Sequence, residues 1–385
     1  MADGQINSLN QLSVINEPLR IERVEIRLLK MPLVEPFETS FGVTSVRTVF
    51  LVGLDSGGVR GWGEVVASER PLYSYETVGT ARSIIKDHLA PLVISAPLAG
   101  LVDLSSRLSR FKGHNMAKSG VELAFMHLLS VVKGISLSTL VGGTRAKIPV
   151  GVSLGIQRDI DSLLERVDRH LDLGYQRIKL KIKPGWDIGV VAAVRRRHPA
   201  ILLSVDANSA YSIGDLEHLK QLDQFNLLMI EQPLDHDDLL DHADLQSRIE
   251  TALCLDESIT GVRRAEHALR LGSCRIINVK IGRVSGYTAA LAIHDLCKSR
   301  GVPVWCGGML ESGIGRAHNI ALASLPGFTL PGDISASSRY FARDIISPSV
   351  VVGKDGTVDV PSEAGLGFEV DLDYVEECTE HIDRI

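Results

Sequence analysis

The sequence predicts an α/β protein in which a β/α barrel of modified TIM type carries an α+β N-terminal capping domain. From Lys147 to about Asp333, short β-branched runs alternate with amphipathic stretches, as in parallel strands joined by helices. Eight such alternations in so short a segment favour a closed barrel over an open sheet. Ionisable residues also end five successive runs at nearly equal spacing. No G-x-G-x-x-G follows the first strand, which disfavours a dinucleotide-binding fold.

The predicted strands and helices follow one another in order along this segment. The strand candidates are residues 148–154, 177–182, 202–207, 227–232, 252–256, 276–281, 302–306 and a weak one near 328–332. Helical patterns between them include Asp161–Leu173, Leu216–Phe225 and Tyr287–Arg300, with Gly174 and Gly301 as helix stops.

Four regions are predicted along the 385 residues, which exceed one ordinary domain. Residues 1–19 lack periodicity and form a loose extension, and residues 20–143 combine an early antiparallel sheet with helical patterns. Residues 144–340 form the barrel. The short strand-like pieces of residues 341–385 bury too little apolar surface to stand alone, so we expect them to pack back on the capping domain.

Composition excludes several classes of function. The net charge of −6 provides no attraction to nucleic acid or to an anionic membrane, so we predict neither as a partner. The five cysteines are odd in number and show no C-x-x-C spacing, which indicates neither a disulfide framework nor a zinc site. The chain shows no apolar run long enough to span a membrane and no signal pattern at its start. We predict a cytoplasmic protein and leave a homo-oligomer open.

Five ionisable residues end successive strand candidates, each 24 or 25 residues after the one before: Lys181, Asp206, Glu231, Asp256 and Lys280. In a barrel all five fall on the C-terminal rim, where the active sites of this fold lie. The three carboxylates come from adjacent strands and should converge. Hard oxygen donors of this kind suit Mg²⁺, with Mn²⁺ or another divalent cation as a substitute, whereas zinc prefers histidine or cysteine.

The two lysines lie on strands two and six, which face each other across a ring of eight. A small-molecule carboxylate bound at the metal would present one face of its α-carbon to each lysine. Removing that α-proton places a second negative charge on the carboxylate, which a divalent cation stabilises as a Lewis acid. The pattern therefore predicts proton abstraction and return on either face of a carbon next to a carboxylate.

A lysine base must be partly neutral, and its ordinary pKa is about 10.4. Lys179 shares the inward parity of Lys181, and we hypothesise that its positive charge lowers the pKa of that neighbour. Arg283 is the corresponding candidate beside Lys280. Ser153 and Asn208 have inward parity as substrate contacts, and Gly308 and Met309 follow strand seven, where substrate would approach the backbone.

Each of these residues also has a structural interpretation. Asp206 could open a turn, Asn208 could close one, and Asp256 could cap the next helix. Glu231 is harder to explain in this way, because it ends a buried run where an unpaired carboxylate would be costly. A non-catalytic binding barrel would be expected to lack a rim carboxylate or lysine, and none is missing. The five residues together favour the catalytic interpretation.

The rim motifs resemble the enolase superfamily, in its muconate-lactonising subgroup, over roughly residues 20–372. The resembling segments are Lys179-Leu180-Lys181, Val205-Asp206-Ala207-Asn208, Ile230-Glu231-Gln232-Pro233, Leu255-Asp256-Glu257-Ser258 and Asn278-Val279-Lys280. A closer similarity is to the o-succinylbenzoate synthases that also racemise N-succinylamino acids. It rests on segments that include Pro71-Leu72-Tyr73-Ser74, Phe111-Lys112-Gly113-His114, Trp305-Cys306-Gly307-Gly308-Met309 and Leu330-Pro331-Gly332-Asp333.

The resemblance implies Mg²⁺ on the three carboxylates, Lys181 and Lys280 as the acid/base pair, Tyr73 and Lys179 as substrate contacts, and a loop at about Phe37–Gly42 that closes the site. It implies dehydration of a cyclohexadiene carboxylate to o-succinylbenzoate, a menaquinone precursor, and racemisation of N-acylamino acids, both through an enediolate. Dipeptide epimerase and muconate cycloisomerase remain alternatives within the subgroup. One departure is Ala124-Phe125-Met126-His127-Leu128, where many relatives carry Ala-x-Trp-Asp-Leu.

Overall fold

The computed structural model describes residues 17–385, so residues 1–16 of the predicted extension lie outside the described residues. Leu19, the last residue of that extension, exchanges backbone hydrogen bonds of 3.0 and 2.8 Å with Leu98. The final part of the predicted extension is therefore attached to the capping domain.

The capping domain is built on a four-stranded antiparallel sheet in the order β15-β1-β2-β3. Its strands are β1 (Arg23–Thr39), β2 (Gly42–Ser56), β3 (Val59–Val65) and the C-terminal β15 (Thr379–Arg384). The helices that follow are α1 (Val78–Ile84), α2 (Ala90–Ile94), α3 (Leu101–Leu108), α4 (Asn115–Lys133) and α5 (Leu137–Leu140), with a π-helical turn at Ile85–Leu89.

Two glycines let the long helix α4 lie directly on strand β3. A Cβ atom on Gly61 would stand 2.1 Å from the carbonyl oxygen of Ala124, and one on Gly63 would stand 2.2 Å from that of Gly120. Any side chain at these positions would push the helix away from the sheet. Close approach of this kind explains why α4 is buried along most of its length.

The barrel is a curled parallel sheet of seven strands in the order β11-β10-β9-β8-β7-β6-β5. After the short β4 (Lys147–Pro149), these strands are β5 (Gly151–Leu154), β6 (Arg177–Lys181), β7 (Leu202–Asp206), β8 (Ile230–Glu231), β9 (Leu253–Leu255), β10 (Ile276–Val279) and β11 (Val304–Cys306). The intervening helices are α6 (Ile160–Asp172), α7 (Ile188–Arg197), α8 (Leu216–Leu219), α9 (Leu240–Arg248), α10 (Val262–Leu271), α11 (Tyr287–Ser299) and α12 (Gly313–Ala323), with 3₁₀ turns at Ile213–Asp215, Lys220–Phe225 and Ser337–Arg339. The predicted fold class is confirmed.

The predicted eighth strand is wrong as a regular strand. Near residues 328–332 the chain makes only isolated parallel bridges, from Phe328 to Val304 and from Gly332 to Val150. Proline has no backbone N–H to donate to a strand ladder, and Pro331 lies within this segment while Pro326 lies just before it. These bridges connect the two edges of the seven-stranded sheet.

The C-terminal segment contacts the barrel as well as the capping domain. It contains β12 (Ile346–Ser347), β13 (Thr357–Asp359), β14 (Glu369–Val370) and α13 (Leu372–Cys378) before β15. Strand β13 pairs with β4 below the barrel, β12 pairs with β14, and β15 pairs with β1. The segment thus connects the two parts of the protein.

Two fully buried glutamates of the capping domain accept hydrogen bonds from the N-termini of barrel helices. Glu64 on β3 accepts from the backbone N–H and hydroxyl of Ser312 (3.1 and 2.6 Å) and from the N–H of Gly315 (3.1 Å) at the start of α12. Glu122 on α4 accepts from the N–H (2.6 Å) and hydroxyl (2.8 Å) of Thr288 at the start of α11. We call Glu64 and Glu122 the interface carboxylates. They fix the capping domain over the barrel rim.

Among residues 17–385, none of the helices has both the length and the apolar character needed to cross a membrane. The five cysteines are free, as their number and spacing predicted.

Candidate active site

The five residues singled out by their spacing lie together at the C-terminal ends of consecutive barrel strands. Lys181 pairs with Asp206, and Asp206 with Glu231, so these three stand at one level of neighbouring strands. Asp256 and Lys280 directly follow β9 and β10. Each of the five is between 0 and 8% exposed.

Both lysines are bonded to a rim carboxylate, the term we use for Asp206, Glu231 and Asp256. Lys181 Nζ lies 2.7 Å from Asp206 Oδ2 and 2.6 Å from Asn208 Oδ1. Lys280 Nζ lies 2.8 Å from Asp256 Oδ2. Burial raises the pKa of the Asp206 carboxyl, but the charges of Lys181 and Lys179 outweigh burial and bring it below its usual range.

Lys181 and Lys280 line one cavity of about 110 Å³ between the barrel and the capping domain. Their strands, β6 and β10, are separated by β7, β8 and β9, which carry the rim carboxylates. The barrel also contributes Ser153, Lys179, Asn208, Gly308, Met309, Leu310, Asp333 and Tyr340, and the capping domain contributes Phe37, Thr39, Phe41, Thr44, Arg47, Ser68 and Tyr73. The two amines thus reach the cavity from opposed strands.

The predicted substrate contacts line this cavity together. Ser153 pairs with Lys179 on the adjacent strand, and its buried hydroxyl has no hydrogen-bond partner. Asn208 adopts a left-handed backbone conformation, φ 44°, as does Gln232 after the next strand, φ 36°. Backbone strain of this kind concentrates at functional sites.

Lys179 stands in a different environment from the one we hypothesised. Its Nζ lies 2.8 Å from Glu231, 2.7 Å from Asp333 and 3.3 Å from Asp206, over the ring of Trp305. Burial lowers its pKa, but these carboxylates outweigh burial and bring the pKa above its ordinary value. Because three carboxylates balance its charge, Lys179 is not the uncompensated cation that our pKa hypothesis for Lys181 requires.

Arg283 joins Lys280 around the same carboxylate. Its guanidinium ion-pairs with Asp256 and donates to the carbonyl oxygens of Ile259 (2.8 Å) and Asn278 (2.6 Å). The hydroxyl of Tyr73 lies 3.0 Å from Asp256, 3.2 Å from Lys280 Nζ and 3.3 Å from Arg283. Tyr73 and Arg283 therefore fix the position of Asp256 and Lys280.

Sequence reasoning assigned no role to Glu257 and Asn278, which the structure places beside the rim carboxylates. Glu257 accepts from Asn208 Nδ2 at 2.9 Å, and burial raises its pKa to about 7. Asn278 donates to Glu231 Oε1 at 2.7 Å. Glu257 Oε2 and Asn278 Oδ1 are buried without a hydrogen-bond partner. The sequence signal for Glu257 was its position directly after Asp256. The signal for Asn278 was its position near the end of the strand that precedes Lys280.

The donor set fits a hard divalent cation. The rim carboxylates offer buried oxygens from adjacent strands, Glu257 and Asn278 offer two further oxygens, and histidine and cysteine are not among them. Lys179 bridges Asp206 and Glu231, so a cation held there would take over part of the charge balance that the lysines provide. Another group of ligand-type side chains, Asp235-His236-Asp237, has its ligand atoms within 4.8 Å of one another but is exposed, and we assign it no role.

The segment Phe37–Gly42, for which the resemblance implied a loop that closes the site, is the tip of the β1–β2 hairpin and lies against the barrel. The carbonyl oxygen of Glu38 accepts from the N–H of Ile156 at 3.1 Å, and the Ser40 hydroxyl donates to the Asn208 carbonyl at 3.2 Å. Lys183 Nζ lies 3.4 Å from Glu38 Oε1 in a half-exposed pair. The loop covers the cavity through contacts on both sides of the rim.

Comparison with known proteins agrees with this architecture. The family described as "Enolase C-terminal domain-like" matches residues 162–375, and the family described as "Mandelate racemase / muconate lactonizing enzyme, N-terminal domain" matches residues 23–142. The chain is similar to an o-succinylbenzoate synthase of Geobacillus kaustophilus, with 51% identity over 94% of this chain and 96% of that protein.

Two further similarities cover almost the whole chain. An N-succinylamino acid racemase of Thermus thermophilus is 48% identical over 94% of this chain and 98% of that protein. A solved structure of an enolase superfamily member from Listeria innocua superposes with a TM-score of 0.92 and 41% identity, over 95% of this chain and 99% of the other. This protein therefore belongs to the enolase superfamily, in the group of mandelate racemase and muconate lactonizing enzyme.

Proposed function

We propose that this protein is an o-succinylbenzoate synthase that also racemises N-succinylamino acids. The observation that carries the proposal is the position of Lys181 and Lys280 on opposed strands around one cavity, with three buried carboxylates on the strands between them. Relatives that bear each of these two names are 46–51% identical to this chain.

In the synthase reaction Lys181 removes the α-proton of the cyclohexadiene carboxylate, and the electron pair of the broken C–H bond moves into the carboxylate. Lys280, as an ammonium group, stabilises the negative charge that develops there. The electron pair then forms the new ring double bond as the C–O bond to the hydroxyl breaks, and Lys181 returns its proton to the departing hydroxide, which leaves as water. A divalent cation, which Asp206, Glu231 and Asp256 would hold, would supply further positive charge beside the carboxylate.

In racemisation the same two lysines act on opposite faces of the α-carbon. One lysine removes the proton of one enantiomer, and the other donates a proton to the opposite face. Both reactions place the extra charge on the same carboxylate, so one site can serve both.

Three roles in the proposal differ from those predicted from the sequence. Lys179, predicted as a substrate contact and as the pKa-tuning neighbour of Lys181, holds Glu231 and Asp206 in place. Tyr73, predicted as a substrate contact, and Arg283, the pKa-tuning candidate, hold Asp256 and Lys280 in place. Ser153, Asn208, Gly308 and Met309 contact the substrate, a small-molecule carboxylate. Assembly into a homo-oligomer and a cytoplasmic location stay predictions.

The test is a paired assay of the purified protein with and without Mg²⁺. We expect Mg²⁺-dependent dehydration of the cyclohexadiene carboxylate and α-proton exchange in D₂O from both enantiomers of an N-succinylamino acid. Exchange without dehydration would make the protein a racemase alone. Inactivity on both substrates would reject the proposal, and turnover of a dipeptide or of muconate in their place would support the alternative activities of the subgroup.

A further inference from the structure

Arg47 lines the cavity from the capping domain, together with the rim lysines of the barrel. It lies on β2 and is 5% exposed. Its two terminal nitrogens donate to the carbonyl oxygens of Ala67 (3.1 Å) and Val66 (2.9 Å). Its Nε is buried and has no hydrogen-bond partner. Arg47 thus lines the cavity as a charged group in which one N–H has no hydrogen-bond partner.

The charge of Arg47 is also without an ion pair. Within residues 17–385, no carboxylate oxygen lies within 4 Å of its guanidinium, whereas the cavity-lining amines of Lys179, Lys181 and Lys280 all have one. A buried cation without a charge partner is unfavourable, and a carboxylate is its natural complement. The cavity thus has one cation available for an anionic group of a ligand.

The acidic groups whose charges act on Arg47 are already engaged with other partners. Glu64 binds the N-terminus of α12, and Glu69 pairs with Lys30 at 2.7 Å. Glu311 accepts from the N–H of Met309 at 2.7 Å and from Asn319 at 3.0 Å. These groups act on Arg47 only from a distance and leave its Nε free.

The cavity lining combines cationic, polar and apolar side chains. The barrel contributes the rim lysines, and the capping domain contributes Arg47, Thr44 and Ser68. The apolar side chains of the lining include Phe37, Met309 and Leu310. A ligand that matches this lining carries one carboxylate for the rim, an apolar linker and a second carboxylate for Arg47.

We propose that Arg47 binds the distal carboxylate of the substrate, the one at the end of the succinyl chain. The inference rests on the proposed function, in which both substrates carry a reacting carboxylate and a succinyl group. Arg47 takes no part in proton transfer. It selects substrates whose acyl chain ends in a negative charge.

A matched pair of substrates tests this on the unaltered enzyme. An N-succinylamino acid and the N-butanoyl derivative of the same amino acid differ by replacement of the distal carboxylate with a methyl group. We expect kcat/KM for racemisation to be about 10- to 100-fold higher for the N-succinyl compound, mainly through KM, as for a hydrogen bond to a charged group. Equal kcat/KM values would overturn the inference while leaving the proposed function intact.

Variants assign the selectivity to Arg47. Arg47→Met should lower the N-succinyl to N-butanoyl ratio of kcat/KM about 10-fold or more, and Arg47→Lys should retain part of it. Arg60→Met removes a capping-domain arginine that pairs with Asp55 and Glu25, and should leave the ratio unchanged. A purely structural role through the carbonyl oxygens of residues 66 and 67 would lower both kcat/KM values alike, and an unchanged ratio in Arg47→Met would overturn the assignment.

The two hypotheses fail in different ways. Absence of exchange and of dehydration in the unaltered enzyme would reject the proposed function. If Arg47→Met does not fold, the substrate pair on the unaltered enzyme and Arg47→Lys still test the inference. Equal kcat/KM values for the two substrates in the unaltered enzyme would contradict it, and so would an undiminished ratio in Arg47→Lys.

Discussion

The rim carboxylates and the interface carboxylates are equally buried but have different partners. Asp206 and Asp256 contact lysine ammonium groups at 2.7 and 2.8 Å. Glu64 and Glu122 instead accept hydrogen bonds at helix N-termini, and no cationic side chain within residues 17–385 lies within 4 Å of either. Burial raises the pKa of both interface carboxylates to about 7.

This difference separates the chemical from the structural use of a buried acid. The lysine charges bring the pKa of Asp206 below its usual range, so this carboxylate stays ionised and can exchange its ammonium partner for another cation. A carboxylate held by backbone N–H groups and hydroxyls has fixed, directional partners that a mobile ion cannot replace. The rim is therefore suited to binding and catalysis, and the interface is suited to holding two domains in register.

The largest effect is expected from the rim lysines. Lys181→Ala and Lys280→Ala should each lower racemisation about 10²- to 10⁴-fold, because each removes the acid/base group of one face. The measurement is α-proton exchange in D₂O, followed by NMR for each enantiomer separately. Lys220→Ala, an exposed lysine outside the cavity, is the control. Two-sided exchange that survives in Lys280→Ala would contradict the opposed-lysine arrangement.

Neutralising a rim carboxylate should lower the free energy of unfolding more than neutralising an interface carboxylate. Asp256→Asn leaves two buried cations, Lys280 and Arg283, without their charge partner. We expect the free energy of unfolding without Mg²⁺ to fall by about 3 kcal/mol or more, as for a broken buried ion pair. Urea unfolding measures this, with Glu122→Gln as the matched interface variant. A decrease in the free energy of unfolding below about 1 kcal/mol would show that the ion pairs of Asp256 are effectively solvated.

The interface carboxylates should make the free energy of unfolding depend on pH. The pKa of Glu122 is about 7 in the folded protein against an ordinary 4.5, so the unfolded chain ionises first as pH rises. Protonated Glu122 therefore makes its complete contribution to the free energy of unfolding below pH 4.5. This contribution of about 3 kcal/mol is lost as the pH rises from 4.5 through 7. Glu122→Gln cannot titrate, so its unfolding free energy relative to the unaltered protein should rise over this range. Parallel pH profiles of the two proteins would exclude a raised pKa at Glu122.

The smallest effect is expected from the half-exposed pair that fastens the loop over the cavity. Lys183→Ala removes the contact with Glu38, and solvent screening limits such pairs to about 0–1 kcal/mol. We expect KM to rise no more than a few-fold while kcat is retained. Steady-state kinetics with the N-succinyl substrate check this, and a large fall in kcat would mean that Lys183 does more than fasten the loop.

The repeating part of the fold was predictable because its signals are local. The alternation of apolar runs with amphipathic helices gave seven barrel strands near their observed positions, and the predicted helix Tyr287–Arg300 differs from the observed one only at its end. The prediction of an eighth regular strand was wrong because prolines interrupt that segment. Strand β3 was not predicted, since its glycines serve the packing of α4 and weaken the strand pattern itself.

His127 is a single residue whose role could not be predicted from local sequence signals. The sequence marked it as a departure from relatives in α4, with no partner to be inferred. In the structure its Nδ1 accepts from the backbone N–H of Trp62 at 2.9 Å, and burial lowers its pKa to about 4. A neutral histidine thus fills a packing role between the helix and β3.

The sequence alone determined the rim, because in a parallel β/α repeat the end of each strand falls at the same level and its side chain can be located by counting. Counting along the chain thus places Lys181, Asp206, Glu231, Asp256 and Lys280 on one edge of the sheet. Only the tertiary structure brought Arg47 to the cavity, and only it showed that Arg47 lacks the charge partner that each rim lysine has. Contacts between two domains depend on how their surfaces fit together, and no periodicity within either domain encodes that fit.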